Sequence, residues 1–199
     1  MKSLLLLSGG LDSSAAVYIF KKSRKLDCLF VDYNQKAAKM ELRSARTICD
    51  KNDLRLINLK IKELGKLFVE GEHMIPHVPI KHRNIILVSI ALVYAKEKGY
   101  EEVILANVNE DCVYEQNKPK ITSKLIELAR ELNVKLTIPF IGLSKSLVLK
   151  MGIKEGLNPE DMYSCMLGYK KYCGLCSQYE LRKKAFLEAD LKDPTSYMS

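Results

Sequence analysis

Several kinds of segment are missing from this sequence, and each absence excludes a class of protein. The longest apolar run covers residues 85–95, about half the length that a bilayer crossing requires, so no membrane span is predicted. The first residues, MKSLLLLSGG, lack the apolar core and the cleavage site of a secretory signal. Repeats and low-complexity stretches are absent too, which excludes solenoid, fibrous and disordered architectures. We therefore expect a cytoplasmic globular protein with no membrane partner.

The composition that remains suits one domain. The chain has 199 residues, of which 47% are hydrophobic and 28% are charged. A core at this length removes roughly 70% of the unfolded chain's surface from water, so residues 1–199 are predicted to form a single domain without disulfides. Lys and Arg number 32 against 24 Asp and Glu, for a net charge of +8. Such a charge suits an anionic substrate or a nucleic acid, or it serves solubility alone.

Segments with strand-like and helix-like periodicity alternate along the chain. Strands are predicted at residues 2–7, 27–32, 54–61, 103–107 and 134–138, and helices at 12–22, 39–52, 84–98, 123–133 and 145–156. This order predicts an α/β fold with one parallel sheet, helices on both faces and ligands beyond the carboxyl ends of the strands. The helix at 84–98 is expected to be buried, and Leu128 to face inward. Residues 157–199 are expected to form a C-terminal appendage, without strands, that carries a cysteine cluster.

The most informative stretch joins the first strand to the first helix and reads Ser8-Gly9-Gly10-Leu11-Asp12-Ser13-Ser14. Two glycines let backbone N–H groups converge on one anion, and the helix N-terminus adds partial positive charge, which predicts a phosphate site. Asp12 beside a phosphate requires a divalent cation or a neutralising contact. The patterns GxxxxGK[ST] and GxGxxG are both absent. The alternative is a plain turn in which Asp12 or Ser13 caps the helix.

Three cysteines cluster near the C-terminus: Cys165, Cys173 and Cys176. In a chain without an export signal, such a cluster favours metal or redox chemistry over disulfides. Cys-x-x-Cys is a recurrent zinc half-site, and a tetrahedral ion needs a fourth ligand, for which Cys112, a histidine, water or a partner chain are candidates. Thiols without a metal, or a redox or sulfur-carrying pair, are the alternatives.

Other candidate residues have a structural explanation beside the functional one. Asn84 caps its helix or, with Arg83, binds substrate. Lys145 is a solvated helix residue or a phosphate contact. The basic clusters at 170–171 and 182–184 are expected on a solvated face or against an anionic partner. Three histidines are either exposed loop residues or contacts to substrate or metal: His73, His77 and His82.

SGGLDSS resembles the signature of the PP-loop ATP pyrophosphatases, which bind the β and γ phosphates of ATP and cleave between the α and β phosphates. Further blocks resemble one family of that group, the 7-cyano-7-deazaguanine synthases (QueC), which turn the carboxylate of 7-carboxy-7-deazaguanine into a nitrile with ATP and ammonia. These blocks span nearly the whole chain: Phe30-Val31-Asp32-Tyr33-Asn34-Gln35 with Glu41, Val78-Pro79 with Arg83-Asn84, Asn109 to Tyr114, Pro139 with Lys145, and Ser164-Cys165 with Cys173-Gly174-Leu175-Cys176.

The resemblance implies a set of site residues and ligands. The implied catalytic residues are Asp12, Ser13 and Lys145. The implied ATP-binding residues are Leu7, Ser8, Gly9, Gly10, Leu11, Asp12, Ser13, Ser14, Ala15, Ala16 and Val17. The implied contacts to the deazaguanine are Tyr33, Gln35, Arg83, Asn84 and Asp111. The implied metals are Mg²⁺ with the ATP and Zn²⁺ on Cys165, Cys173 and Cys176. Ammonia would be the second substrate, and a homodimer the assembly.

The chain departs from the family pattern in three blocks. Tyr179 stands where the family has a fourth zinc-binding cysteine, and Asn34 with residues 36–38 breaks a YGQRH pattern. Residues 114–118, YEQNK, replace a YPDCR-like segment and lose the acid that could read a guanine-like edge.

The synthase is therefore the leading hypothesis among four. One alternative is a relative that joins a deazaguanine to an amine of a partner protein, as QueC-like proteins of antiviral operons do. Another is a tRNA-modifying or thiolating enzyme, although the chain has no room for a separate RNA-binding module, so nucleic acid is not expected. The last is a nucleotide sensor without catalysis.

Overall fold

The computed structural model describes residues 1–64 and 82–198, and at its centre lies a five-stranded parallel sheet in the order β3-β2-β1-β4-β5. The strands are β1 (Lys2–Leu6), β2 (Lys25–Asp32), β3 (Leu56–Lys60), β4 (Glu102–Ile104) and β5 (Lys135–Thr137). The helices of the described ranges are α1 (Leu11–Phe20), α2 (Ala38–Lys51), α3 (Arg83–Glu97), α4 (Pro119–Glu131), α5 (Lys145–Lys154) and α6 (Ser177–Glu188). The predicted fold class is confirmed.

Alternating side chains of the strands build a separate core on each face of the sheet, because the side-chain period of a strand is two. Leu5 and Cys28 pack in one buried cluster with side chains of α1, α2, α5 and α6. Leu4 and Leu29 pack in the other, with side chains of α3 and α4. The helices therefore cover both faces, and both sides of the central strands are apolar.

The strand order reverses at β1, which pairs with β2 on one side and with β4 on the other. Leu6 is in register with Leu29, and Leu5 with Ile104. The connections that follow β1 and β4 lead away from each other, which leaves a crevice at the carboxyl ends of these strands. The glycine turn at residues 8–14 follows β1 and so lies at this crevice.

Two helices on one face, α1 and α5, approach each other closely at Gly152. A Cβ atom at this position would lie 2.8 Å from Ala15 Cβ and 3.1 Å from Leu157 Cδ2. Only glycine allows this approach without displacing α1. Because α1 begins at the glycine turn and α5 begins at Lys145, the contact sets the distance between the two predicted catalytic elements.

Two packing predictions were wrong. The helix at 84–98 was expected to be buried, but α3 packs on the sheet by one side only, and Val93 is 56% exposed. Leu128, expected to face inward, is 40% exposed on α4. An apolar residue on the outer side of a helix is common, so hydrophobicity alone does not identify the buried side. None of the helices in the described ranges is long and apolar enough to cross a membrane.

The C-terminal region contributes to the main core. Ala185 and Phe186 of α6 belong to the buried cluster under α1 and α5. Arg182 was expected with its neighbours on a solvated face, but it is 2% exposed. Its guanidinium donates to both oxygens of Asp193, at 3.0–3.2 Å, which ties the last residues to α6. A long cationic side chain among charged neighbours gives no sequence signal of such burial.

The contact at Gly152 makes a stability prediction. Gly152→Val places two methyl groups against Ala15, whose Cβ cannot rotate away, so we expect a loss of about 1–3 kcal/mol in the free energy of unfolding. The matched control is Gly142→Val, because no atom lies within 4 Å of a Cβ atom at Gly142. Guanidinium denaturation of both variants measures the difference, and equal losses would contradict the close contact of α1 with α5.

Candidate active site

A cleft of about 540 Å³ opens at the carboxyl ends of β1, β2 and β4. Its walls come from the glycine turn, the segments that follow β2 and β4, the start of α3, the start of α5 and the segment before α6. The lining residues with polar side chains include Ser8, Asp12, Ser13, Tyr33, Gln35, Glu41, Arg83, Asn84, Asn107, Asp111, Asn117 and Lys145. The structure thus brings together the predicted catalytic residues and the predicted substrate contacts.

The glycine turn is held from behind by α2. Gly9 has φ of +76°, and a Cβ atom there would lie 2.7 Å from Glu41 O and 2.8 Å from Ser44 Cβ, so a side chain is excluded on both grounds. Ser44 Oγ lies 2.8 Å from Gly9 O, and Tyr163 N donates to the same oxygen at 2.8 Å. These contacts fix the turn before any ligand arrives.

The first turn of α1 carries no side-chain cap. Gly10 is the N-cap residue, so the alternative in which Asp12 or Ser13 caps the helix is wrong. Ser13 Oγ instead lies 3.1 Å from Ser8 Oγ, and the two hydroxyls line the cleft side by side. An uncapped helix N-terminus next to two hydroxyls suits an anion such as phosphate.

Asp12 and Lys145 form a buried ion pair between α1 and α5. Lys145 Nζ donates to Asp12 Oδ2, and Lys145 is 5% exposed, so the prediction of a solvated lysine is wrong. The other carboxylate oxygen, Asp12 Oδ1, is buried with no hydrogen-bond partner in the described part of the chain. A buried carboxylate oxygen without a hydrogen-bond partner is the kind of oxygen ligand that a divalent cation takes.

Three carboxylates surround the single ammonium group of Lys145. Burial raises the pKa of Asp12 to about 6; Asp111 and Glu110 add to the rise, while Lys145 opposes it. Burial alone would lower the pKa of Lys145, but Asp12, Asp111 and Glu110 outweigh it and raise that pKa. Lys145 therefore stays cationic, and this end of the cleft has an excess of acid that suits a cation.

Glu110 and Asp111 reach this end from the turn after β4. The Glu110 carboxylate accepts from Lys145 N at 2.9 Å and so adds to the cap of α5, whose N-cap residue Ser144 accepts from Leu147 N at 3.2 Å. Asp111 Oδ2 accepts from Val108 N at 3.1 Å. Asp111 is predicted to contact the deazaguanine, and the structure places its carboxylate where it interacts with Asp12 and Lys145.

A second polar group lines the cleft where the chain leaves β2. Gln35 Nε2 donates to Glu41 Oε2 at 2.9 Å, and Gln35 Oε1 accepts from Tyr33 N at 3.0 Å. Arg83 Nη1 lies 3.5 Å from Tyr33 Oη. Burial raises the pKa of Glu41, whereas Gln35 and Arg83 oppose the rise. Asn34, where the family has glycine, has φ of +71°, a conformation that asparagine tolerates.

Three asparagines connect α3 with the segments after β4. Asn117 Oδ1 accepts from Asn84 Nδ2 and from Asn107 Nδ2, each at 2.9 Å, and Asn117 Nδ2 donates to Asp111 O at 3.0 Å. His82 is the N-cap residue of α3, so the capping role considered for Asn84 is wrong. Asn107 and Asn117 escaped the sequence analysis because an amide network across distant segments leaves no local pattern.

The three clustered cysteines are buried, and their Sγ atoms lie within 4.8 Å of one another. Four sulfur ligands at about 2.3 Å from a tetrahedral zinc ion stand roughly 3.8 Å apart, so a small inward movement fits one ion. Leu175 N lies 3.5 Å from Cys173 Sγ and donates to it, as suits a thiolate. The group has no fourth His, Cys, Asp or Glu within residues 1–64 and 82–198.

The candidates for the fourth ligand lie elsewhere. Cys112 Sγ is 3.9 Å from Val108 O, and His82 faces Glu115 at 3.9 Å. The ring of Tyr179 packs edge-on against that of Tyr197, with centroids 4.7 Å apart. Outside the described residues lie two of the histidines and the Val-Pro block considered above: His73, His77, Val78 and Pro79.

Comparison with known proteins agrees with this site. The family model described as queuosine biosynthesis protein QueC matches residues 2–190. A 7-cyano-7-deazaguanine synthase 1 of Sulfurisphaera tokodaii is 48% identical over 200 residues, which cover 100% of this chain and 99% of the relative. A 7-cyano-7-deazaguanine synthase of Methanobrevibacter smithii is 29% identical, over 98% of this chain and 97% of the relative.

Solved structures resemble the fold at lower identity. An NH3-dependent NAD synthetase of Campylobacter jejuni superposes with a TM-score of 0.57 at 19% identity, over 97% of this chain and 79% of that one. The U34-tRNA thiolase NcsA of Methanococcus maripaludis, described with its [4Fe-4S] cluster, superposes with a TM-score of 0.57 at 15% identity, over 96% of this chain and 64% of that one. These likenesses establish the fold alone.

The ion pair predicts the titration of Asp12. In the ligand-free protein the Asp12 carboxyl is expected to titrate at about pH 6, above its ordinary value of 3.8, because burial penalises the charged form. Lys145→Gln removes the positive partner and moves the midpoint higher. Carboxyl ¹³C shifts measured against pH test both statements. Lys150→Gln, an exposed lysine on the same helix, is the control that leaves the midpoint unchanged. An Asp12 midpoint near 4 would contradict the buried site.

Proposed function

The chain belongs to the QueC family, and on that premise we propose that it is an ATP-dependent ligase that forms a carbon–nitrogen bond at the carboxylate of 7-carboxy-7-deazaguanine. Ammonia is the proposed nitrogen donor, and the product is the nitrile, as in the relatives named 7-cyano-7-deazaguanine synthase. The cytoplasm and a homodimer complete the proposal; the six cysteines, all free thiols, suit a reducing compartment.

One observation carries the use of ATP with Mg²⁺. Asp12 Oδ1 is a buried oxygen without a hydrogen-bond partner in the described part of the chain, and a divalent cation would give it one. The uncapped N-terminus of α1 lies at the same place and would bind a phosphate. A carboxylate and a phosphate repel each other unless a cation separates them. Asp12, with Asp111 beside it, would hold the Mg²⁺, and oxygen ligands of this kind are those that Mg²⁺ prefers.

The position of each residue in the cleft suggests its role in the reaction. The turn at 8–14 and the hydroxyls of Ser8 and Ser13 would hold the β and γ phosphates. Lys145 would neutralise the charge that develops on the oxygen between the α and β phosphates as that bond breaks. A bound Mg²⁺ supplies further charge neutralisation on the phosphate oxygens. No protein nucleophile is needed, because the carboxylate of the substrate itself attacks the α phosphorus.

The second half of the reaction follows from the first. Attack by the carboxylate releases pyrophosphate and leaves a mixed anhydride with AMP, from which ammonia displaces AMP to give an amide. The amide oxygen then attacks the α phosphorus of a second ATP and releases pyrophosphate. AMP leaves with that oxygen, the nitrogen loses its two protons, and the nitrile forms. The contribution of the protein to both steps is to place the reacting groups in line and to keep water out of the cleft.

The reaction is tested by incubating the protein with 7-carboxy-7-deazaguanine, Mg-ATP and ammonium, with products followed by mass spectrometry. We expect the nitrile together with AMP and pyrophosphate. Lys145→Gln is expected to lower kcat by about 100-fold or more, the range for loss of one electrostatic contact to a transition state. Lys150→Gln, on the exposed side of the same helix, is expected to retain full activity.

The outcomes separate the synthase from its alternatives. One outcome is release of AMP without amide or nitrile, followed by formation of a joined product once a protein amine is added. That outcome would favour the relative that modifies a partner protein. ATP binding with no pyrophosphate exchange under any substrate would favour the nucleotide sensor. Either result contradicts the synthase.

We also propose that the three buried thiols bind one Zn²⁺, which would join the segment before α6 to α6 itself. Purified protein is expected to contain about one zinc per chain by elemental analysis, and Cys176→Ser to lose it. Tyr179→Cys, which adds a thiol one helical turn beyond Cys176, is expected to slow zinc loss to a chelator because it completes the tetrahedral set.

Cys112→Ser is the matched control for the zinc prediction, because this thiol lies against Val108 O and outside the cluster. It is expected to keep full zinc content. Zinc far below one per chain in protein purified without chelators would contradict the metal site.

A further inference from the structure

Glu41 is a cleft carboxylate that the mechanism above does not use. The other acids of the cleft have evident tasks or positions. Asp12 and Asp111 interact with Lys145 at the phosphate end. Glu115, from the segment that lost the family's acid, is exposed and faces His82. Glu41 lines the cleft beside Tyr33 and Gln35, where α2 packs behind the glycine turn.

The position of Glu41 is fixed by Gln35. The amide nitrogen of Gln35 lies 2.9 Å from Glu41 Oε2 and 3.3 Å from Val31 O, while its oxygen accepts from Tyr33 N. Both amide N–H groups of Gln35 are therefore used within the protein, and Gln35 positions Glu41. Glu41 Oε1 has no hydrogen bond within the described residues and is not among the fully buried atoms without a partner, so it is open to the cleft.

A fixed carboxylate selects a particular base edge. The pyrimidine ring of a guanine-like base presents two adjacent donors, the ring N1–H and the exocyclic 2-amino group, and a carboxylate accepts from both. Adenine presents one amino group beside a ring nitrogen with a lone pair, which a carboxylate repels.

We propose that Glu41 is the residue that recognises the 2-aminopyrimidinone edge of the substrate. This assignment rests on the proposed function, because it takes a deazaguanine as the ligand. It gives the chain an acid for base recognition in place of the acid missing from residues 114–118. The base would then lie against the segment that follows β2.

The test compares two ligands, 7-carboxy-7-deazaguanine and its analogue without the 2-amino group, by calorimetry and by nitrile formation. The wild-type protein is expected to prefer the 2-amino ligand. In Glu41→Gln the affinity for that ligand should fall by about 10- to 100-fold, the range for a lost charge-assisted hydrogen bond, and the preference should disappear. The affinity for ATP should stay within about two-fold, which also shows that the variant is folded.

Glu115→Gln is the matched control, because it removes the acid of the segment at 114–118, and it should leave the preference intact. Glu41→Asp keeps the charge on a shorter side chain. It should therefore lower the affinity for the 2-amino ligand less than Glu41→Gln does. If Glu41→Gln does not fold, the two ligands are compared with Glu41→Asp instead.

Two results would overturn the assignment while leaving the synthase in place. The first is a Glu41→Gln variant that still prefers the 2-amino ligand. The second is a variant that loses affinity for ATP instead, which would place adenine at Glu41. A wild-type protein that converts neither ligand would overturn the proposed function itself, and with it the role of Glu41.

Discussion

The buried pair of Asp12 and Lys145 is the interaction on which the rest of the cleft depends. Removing two charges from water is costly, so such a pair contributes little to folding and is explained by chemistry. The fold supports it from several sides. Gly152 lets α5 approach Ala15 of α1, and Glu110 caps α5 at Lys145. Each of these features helps to hold Asp12 or Lys145 in a buried position, where its charged form would otherwise be unfavourable.

The distribution of charge in the cleft changes the meaning of the chain's net charge of +8. Around the predicted phosphate site, Asp12, Glu110 and Asp111 outnumber the ammonium of Lys145. A basic surface therefore does not by itself make this site attractive to ATP. On the proposed function, the positive charge that phosphates need would come from a bound cation and from the N-terminus of α1, which would give Asp12 its role.

The sequence predicted the features that depend on local patterns. The order of strands and helices followed from periodicity, and the glycine turn between β1 and α1 from residues 8–14. What it could not predict rests on contacts between distant segments. Asn117 joins Asn84 to Asn107, and Arg182 is buried because Asp193 pairs with it, and neither contact has a local signature. The outer side of α3 was misjudged because a continuous apolar run has no period that marks the buried side.

The departure at Tyr179 has a structural counterpart that the family pattern alone does not suggest. Its ring packs edge-on against Tyr197, whose hydroxyl donates to Asp193 at 2.5 Å, and Asp193 in turn pairs with buried Arg182. In place of a metal ligand, this position thus provides an aromatic contact that connects α6 with the last residues of the described chain. The segment around the three cysteines is also tied down at Tyr172, whose N–H donates to Ser196 O at 3.2 Å and whose hydroxyl donates to Met162 O at 2.7 Å. This support from the C-terminal tail explains how a fourth thiol can be absent while the wall of the cleft formed by residues 163–166 keeps its place.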